Sequence, residues 1–274
     1  MSYAVKTETA VQRLINRKLV RYKINALTRN GRKELMDVLK SFFESEKLDR
    51  QHIFGIHYAL VEIVFNALKA NTKFVALREE LRKRLTHYNI HEIESLLQII
   101  LEEKTLREYL AQTIMPTALK QTVFEIFALE EKYRTDVNNR LPPEKIHFLA
   151  RFRRLIKEIA AEVILVIRNE PSRISLTVTN SVPILDRDMA RINLARRRHQ
   201  ELHLEGKGGD FFSEEEMDTT ESAGFGIAMV DQGLYKMELD PFEHLIIEAR
   251  KRATIVTLTY PRHKLILSPP HSTP

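Results

Sequence analysis

Residues 51–70, QHIFGIHYALVEIVFNALKA, decide the fold because they predict a helix that is apolar on nearly every side. A helix of this kind is buried on most of its faces. Glu62 and Asn66 interrupt the apolar run four residues apart, so both side chains lie on one face. A carboxylate inside a buried helix is costly unless another group pairs with it. This pair is therefore the first indication of a functional site.

Strand patterns lie on both sides of this helix. Residues 18–26 alternate between apolar and polar side chains, which predicts a half-buried strand, and residues 31–46 predict an amphipathic helix after it. The last third of the chain predicts two hairpins, because short polar turns separate its β-rich runs. Their strands are expected at residues 162–168 with 173–180, and at residues 245–249 with 255–259.

The middle of the chain predicts helices throughout. Periodic apolar residues indicate helices at residues 77–85, 90–101, 106–114 and 119–133, and a further helix that begins at Pro142 and Pro143 and ends near residue 161. Residues 185–222 are charged and contain glycine, so we expect a mobile loop with a short helix there. Because helices group with helices and strands pair in hairpins, the pattern predicts an α+β two-layer sandwich with a mostly antiparallel sheet.

Composition excludes several kinds of site. The chain has no cysteine, which rules out disulfides, thiolate zinc sites, iron–sulfur clusters and cysteine nucleophiles. The net charge of +6 is compatible with a nucleotide or nucleic-acid partner, and equally with a merely basic surface. No signal-peptide pattern opens the chain, and the apolar run near Ile159–Ile167 is too short to cross a bilayer. We therefore expect a soluble, cytoplasmic protein with no membrane contact.

The chemistry of the first motif suits phosphate transfer. Glu62 could orient or deprotonate an attacking group. The amide oxygen of Asn66 could ligate Mg²⁺, which prefers oxygen ligands and shares them with phosphates. Lys69, one helical turn further, could meet a phosphate. The alternative is an ordinary core helix whose two polar residues bond to neighbouring backbone.

A second motif, residues 221–230 (ESAGFGIAMV), places Gly224 and Gly226 where an apolar helix begins. Glycine lets the backbone approach a phosphate closely, and the free N–H groups of a helix start attract anions. The alternative is an ordinary helix entry with glycines for packing.

Together the two motifs resemble the N box and the second glycine box of the histidine-kinase-like ATPase superfamily (the Bergerat fold), which includes histidine kinases, anti-sigma-factor kinases and gyrases. The resemblance covers roughly residues 18–72 and 160–261. It implies ATP and Mg²⁺ as ligands, with Glu62 catalytic, Asn66 on the metal and Lys69 near phosphate. It also implies that Gly224 and Gly226 lie beside the triphosphate. The nucleotide lid would contain Gly206, Gly208 and Gly209.

Two departures from the family pattern affect these expectations. Asn180 stands where the family has an adenine-binding aspartate; its side-chain oxygen can still accept from an amino group, but the glycines that normally follow are absent. Residues 74–160 are read as an inserted helical subdomain for dimerisation or partner binding. The expected organisation is an ATPase-like domain in two parts, 1–73 and 161–262, around this insertion, with a tail at 263–274.

The function implied by the resemblance is that of a cytoplasmic regulatory protein kinase, of the histidine or serine type, in signal transduction. Its partner would be a phosphoacceptor, or a protein like a sigma factor or response regulator, and a homodimer is compatible with the helical insertion. The alternative is a degenerate, non-catalytic member that acts as a protein-interaction or dimerisation module. Nucleic-acid binding rests only on the basic runs 151–154 and 196–199, and His91 is read as an ordinary surface histidine rather than a phosphoacceptor.

Overall fold

Five strands form one open antiparallel sheet. The computed structural model describes residues 7–85, 89–102, 117–135, 141–212 and 225–266. Within them the strand order is β1-β2-β3-β5-β4, and every neighbouring pair is antiparallel. The strands are β1 (Val20–Ile24), β2 (Val163–Asn169), β3 (Arg173–Asn180), β4 (Leu245–Arg250) and β5 (Ala253–Pro261). The predicted α+β class and the predicted hairpins are confirmed.

The first strand joins the sheet across a long sequence separation. Val20 pairs with Ile167 and Ile24 pairs with Val163, so β1 becomes the neighbour of the first hairpin. Alternate residues of β2 are buried, beginning with Val163, and these form one apolar face of the sheet. Helices cover this face, because a sheet of this kind must bury its apolar side against another layer.

The helices of the described residues are numbered in chain order. They are α1 (Thr7–Ile15), α2 (Arg29–Ser45), α3 (Ile53–Arg84), α4 (Ile90–Glu102), α5 (Thr117–Thr135), α6 (Pro143–Glu158), α7 (Asp186–Leu204), α8 (Phe225–Tyr235) and the short α9 (Pro241–His244). The predicted helices at 31–46, 90–101 and 119–133, and the one that begins at Pro142 and Pro143, correspond to α2, α4, α5 and α6. The helix predicted at residues 106–114 lies outside the described residues.

Helix α3 is a single element of 32 residues rather than the two helices that the sequence predicts. Its first half packs in the main core against the sheet, where Leu60 and Val64 are fully buried. The described segment Arg50–Arg84 is also the one that is long and apolar enough to cross a membrane by length and composition alone. Core helices of soluble proteins pass the same test, and the cytoplasmic location stays a prediction.

Helices α4, α5 and α6 pack on the second half of α3. Leu77 and Leu81 of α3 form a cluster with Leu97 of α4. Val75 forms another with Ile126 of α5 and with residues of α6. The boundary expected between residues 73 and 74 thus falls inside a continuous helix.

The prediction of a mobile loop over residues 185–222 is wrong for residues 186–204, which form the 19-residue helix α7. The stripe that α7 buries consists of Arg196, His199 and Leu202, at helical spacing but mostly polar. A search for apolar periodicity does not detect such a stripe. Arg196 Nε donates to Asp231 Oδ2 of α8 at 2.8 Å, and both side chains are almost completely buried.

Among the described helices that end in a left-handed residue, most have a residue other than glycine at that position. Arg17, Lys47, Ala160 and Glu238 each have a φ between 52° and 56° just after a helix, and Gly206 has a φ of 76° after α7. In each case the next residue donates its N–H to a carbonyl five residues back, as in the bond from Leu48 to Phe43. This is the Schellman ending, which usually has glycine at the left-handed position.

Removing one partner of the buried Arg196–Asp231 ion pair should destabilise the protein more than removing both. Arg196→Met leaves the Asp231 carboxylate buried and unpaired, and should lower the free energy of unfolding by about 3–5 kcal/mol. Arg196→Met combined with Asp231→Leu should recover most of that loss, since no buried charge remains. The free energies of unfolding of the wild type, both single variants and the double variant, measured in urea, form a double-mutant cycle that tests this. A cost below about 1 kcal/mol for Arg196→Met would contradict burial of the pair.

Candidate functional site

A polar stripe runs along one face of α3. Tyr58, Glu62, Asn66, Lys69 and Lys73 follow one another at intervals of three or four residues, which places them on a single face. Glu62 and Asn66 are half-buried, so the carboxylate is not sealed in the core as the sequence suggested. Burial, and secondarily the negative charge of Glu62, raises the pKa of Tyr58. The stripe is thus the accessible side of an otherwise buried helix.

The structure brings the two sequence motifs into direct contact. Helix α8 begins at Phe225 and packs on α3, so that Gly226 in its first turn lies against the Glu62 carboxylate. A Cβ atom built on Gly226 would lie 1.8 Å from Glu62 Oε1, so only glycine fits while Glu62 holds this position. Gly224 lies outside the described residues.

Asn66 is oriented by Glu62. Its Nδ2 donates to Glu62 Oε1 at 2.9 Å, which leaves the amide oxygen Oδ1 for another group. An oxygen ligand of this kind suits Mg²⁺, which is commonly held by one or two protein groups together with substrate phosphates. Within the described residues no group of three or more His, Asp or Glu side chains could hold a metal on its own. A metal held by Asn66 would need further oxygen ligands, such as those of a bound phosphate.

A small cavity lies between α3 and the ends of β3 and β5. Its volume is about 130 Å³. Its apolar walls include five isoleucines: Ile63, Ile184, Ile192, Ile227 and Ile247. The polar residues that line it are Asn66, Lys69, Lys73, Asn180, Asp188 and Thr254. Three of the residues predicted from the sequence, Asn66, Lys69 and Asn180, thus meet in one cavity although they come from distant parts of the chain.

Asn180 is held so that its amino group is used inside the protein. Asn180 Nδ2 donates to the carbonyl of Val182 at 2.8 Å and to Asn71 Oδ1 at 3.3 Å. The same Val182 carbonyl accepts a hydrogen bond from Thr254 Oγ1 at 2.8 Å. Among the described residues no group donates to Asn180 Oδ1, so this oxygen can accept a hydrogen bond at the cavity wall.

The glycines expected in a nucleotide lid do not reach this cavity. Gly206 ends α7, Gly209 is exposed, and Gly208 is buried against His203 and Gln232. None of the three lines the cavity. Helix α7 covers it instead, through Asp188 and Ile192.

Helix α7 is fastened to α8 by buried polar contacts. Besides the Arg196–Asp231 pair, the His199 ring donates from Nε2 to Gln232 Oε1 at 2.8 Å. The rings of Phe211, Phe212 and Tyr235 lie within 6 Å of the His199 ring. Burial lowers the pKa of His199 despite the hydrogen bond to Gln232.

Four residues of this region were not selected from the sequence: Asn71, Lys73, Asp188 and Thr254. Lys73 could have been found, because it lies four residues after Lys69 on the same helix face. Asn71 lies on the buried side of α3 and bonds to Asn180. Thr254 joins the site only because β5 pairs with β3 in the register that sets it opposite Asn180. No local pattern reveals that pairing.

The basic runs are largely engaged within the protein. Arg153 forms a bidentate pair with Glu130, and Arg151 and Arg154 form ion pairs with Glu79 and Glu158. In the second run, Arg196 and His199 are buried. His91 is exposed, as expected for a surface histidine.

No protein-family model matches this chain, and no curated protein or solved structure matches it either.

Because Gly226 contacts Glu62, the effect of Gly226→Ala on stability should depend on whether Glu62 is present. Alanine usually stabilises a helix relative to glycine by about 0.5–1 kcal/mol. Gly233→Ala, in the same helix with open space around it, should show that gain. Gly226→Ala should not, because the new methyl group displaces Glu62 and breaks its bond to Asn66. In a Glu62→Ala background, Gly226→Ala should behave like Gly233→Ala. Equal gains from both alanines in wild-type background, measured by urea unfolding, would contradict the contact.

The depressed pKa of His199 predicts a loss of stability in mild acid. Unfolded histidine binds a proton more readily than buried His199, so the stability contributed by the neutral ring is present above pH ~6.5 and is lost as the pH falls through the lower folded-state value. Between pH ~7.5 and ~5.5 the melting temperature of the wild type should fall more than that of His199→Gln. His263→Gln, at an exposed position, is the control and should follow the wild type.

Proposed function

We propose that this chain binds ATP with Mg²⁺ in the cavity between α3 and the ends of β3 and β5, and that it acts as a cytoplasmic regulatory protein kinase. The observation that carries the proposal is the contact between Gly226 and Glu62, which joins two motifs more than 160 residues apart in sequence. The proposal includes a two-layer α/β sandwich with an inserted helical subdomain. The helices that cover one face of the antiparallel sheet support that architecture.

Each side chain has a role that its surroundings support. The oxygen of Asn180 accepts a hydrogen bond from the adenine amino group, because the Asn180 amino group is already bonded to Val182. Lys69 and Lys73 neutralise phosphate charge, and the first turn of α8 offers backbone N–H groups to the same phosphates. Asn66 Oδ1 would hold Mg²⁺, which when bound would neutralise charge on the phosphate oxygens and so reduce their repulsion of the incoming nucleophile.

Glu62 orients the attacking group in this proposal. The hydroxyl or imidazole of the partner protein attacks the γ-phosphorus as the bond to the β-phosphate oxygen breaks, and ADP leaves. A hydroxyl nucleophile loses its proton to Glu62, whose carboxylate is half-buried and held by Asn66. The partner is a regulatory protein that presents the acceptor residue, and the helices of residues 74–160 provide a surface for it or for a second copy of the chain.

The cavity must enlarge before a whole nucleotide can enter. Ligand sites usually measure about 300–1,000 Å³, whereas this cavity measures about 130 Å³. Helix α7 is the element to move, because Asp188 and Ile192 close the cavity from that side. The buried contacts of Arg196 and His199 to α8 oppose this movement.

The small volume of the cavity favours a second candidate function, that of a protein-interaction module. A non-catalytic protein-interaction module would keep the fold and lose the pocket. Val182 and Pro183 follow Asn180 where the related ATPases have glycines, and the Val182 carbonyl ties Asn180 and Thr254 together. This module would bind its partner through the helices of residues 74–160.

Calorimetric titration separates the two functions. The wild type should bind ATP with micromolar affinity in the presence of Mg²⁺, and less tightly without it. Asn66→Ala should remove most of the Mg²⁺ dependence, since it deletes the metal ligand. Asn180→Ala should weaken adenosine and ATP alike, since it acts on the base. Asn16→Ala, at an exposed position after α1, is the control.

Absence of binding at millimolar nucleotide would exclude the kinase. Binding that Asn66→Ala and Asn16→Ala leave equally intact would place the nucleotide somewhere else on the protein.

A further inference from the structure

A second and larger cavity, which we call the α4 cleft, has a volume of about 510 Å³. It lies between the second half of α3, helix α4, the turns that flank β2 and β3, and the turn between β4 and β5. Its lining includes Phe74 and Arg78 of α3, Glu94 and Leu97 of α4, and Lys251 and Arg252 of the β4–β5 turn. Its size is within the range of about 300–1,000 Å³ that is usual for small-molecule sites.

Positive charge predominates around the α4 cleft. Arg78, Lys251 and Arg252 line it, and Glu94 is the one carboxylate among its described lining residues. Glu94 pairs with Arg78 and lies 3.7 Å from Arg82 Nε, so the charges of Glu94 and Arg78 offset each other and the excess positive charge lies at the rim. Lys251 and Arg252 are both exposed at the rim, where a cation attracts an anion from solution. The field in the cleft therefore favours a negatively charged ligand.

The inner wall of the cleft is apolar. Phe74, Leu97, Ile159 and Val182 contribute to it. An inorganic ion would leave this wall in contact with water, whereas a ligand with an aromatic or aliphatic body would cover it. The ligand class that fits is a small organic anion in which a carboxylate, sulfonate or phosphate is attached to an apolar body.

The hydroxyl groups of the cleft add little selectivity. Ser95 Oγ donates to the carbonyl of His91 at 2.9 Å, and Ser181 Oγ donates to the carbonyl of Ala160 at 2.8 Å. Both hydroxyl protons are thus used inside the protein. Charge and apolar contact remain as the determinants of binding, so the cleft should accept different anionic groups on similar bodies.

The α4 cleft is separate from the nucleotide cavity, although the two share a wall. Val182 lines the cleft, while its carbonyl bonds to Asn180 and Thr254, which line the smaller cavity. A ligand in the cleft would therefore contact neither Asn66 nor Lys69. Binding there does not rest on the proposed kinase function.

We propose that the α4 cleft is a binding site for a small organic anion, whose charged group is held at the rim by Lys251 and Arg252 and whose apolar body packs on Phe74 and Leu97.

The test uses 1-anilinonaphthalene-8-sulfonate, a sulfonated aromatic compound whose fluorescence rises in apolar surroundings. The wild type should bind one equivalent saturably. Lys251→Glu with Arg252→Glu should weaken binding at least tenfold, and these exposed turn positions put the fold at little risk. Arg187→Glu with Arg197→Glu makes the same charge change at exposed positions of α7 and should leave binding unchanged.

A variant that fills the cleft without changing its charge provides a second test. Ser95→Trp places an indole at an exposed position of the cleft and should compete with the dye for the apolar wall. All variants should keep the cooperative urea unfolding of the wild type, because the dye also binds partly unfolded protein.

The proposal is overturned if the dye does not bind, or if Ser95→Trp and the rim variant both leave binding intact. It is also overturned if the α7 control weakens binding as much as the rim variant does.

Discussion

Helix α3 has to satisfy two requirements at once. Most of its surface must be buried, because the sheet and α8 on one half and α4, α5 and α6 on the other depend on it for their apolar contacts. One stripe must nevertheless stay polar and accessible. The structure resolves this by packing α8 so closely that Gly226 meets Glu62, and by leaving a cavity beside Asn66 and Lys69. A residue larger than glycine at position 226 would displace the Glu62 carboxylate from this position.

The sheet determines what faces that stripe. Asn180 reaches the cavity because it ends β3, and Thr254 reaches it because β5 pairs with β3 in antiparallel register. The carbonyl of Val182 then fixes both side chains. The base-facing side of the proposed nucleotide site is consequently a property of strand pairing, while its phosphate-facing side is a property of α3 and α8. Each side combines two segments that are distant in sequence.

Much of the fold follows from local patterns, and the exceptions have physical causes. Alternation predicted β1 and β3, and β-rich runs separated by polar turns predicted β2, β4 and β5, each to within a few residues. Helix α7 was missed because the stripe it buries contains Arg196 and His199, and α1 was missed because only Ala10, Val11 and Leu14 are buried in it. The continuity of α3 was missed because Asn71 and Thr72 are polar yet buried. Asn66 and Lys69 stood out as polar residues of an apolar helix, and Asn180 was placed by the family resemblance; all three line the cavity. The lid glycines, also placed by the resemblance, lie away from it.

The unbroken length of α3 has a mechanical consequence. At about 1.5 Å per residue it is a rod of about 48 Å, with the proposed phosphate site near its middle and the helices of residues 74–160 on its far half. A molecule that bound the far helices would therefore contact elements packed on the same helix that carries Asn66. A fragment cut at residue 74 would sever this rod and expose the apolar side chains beyond the cut.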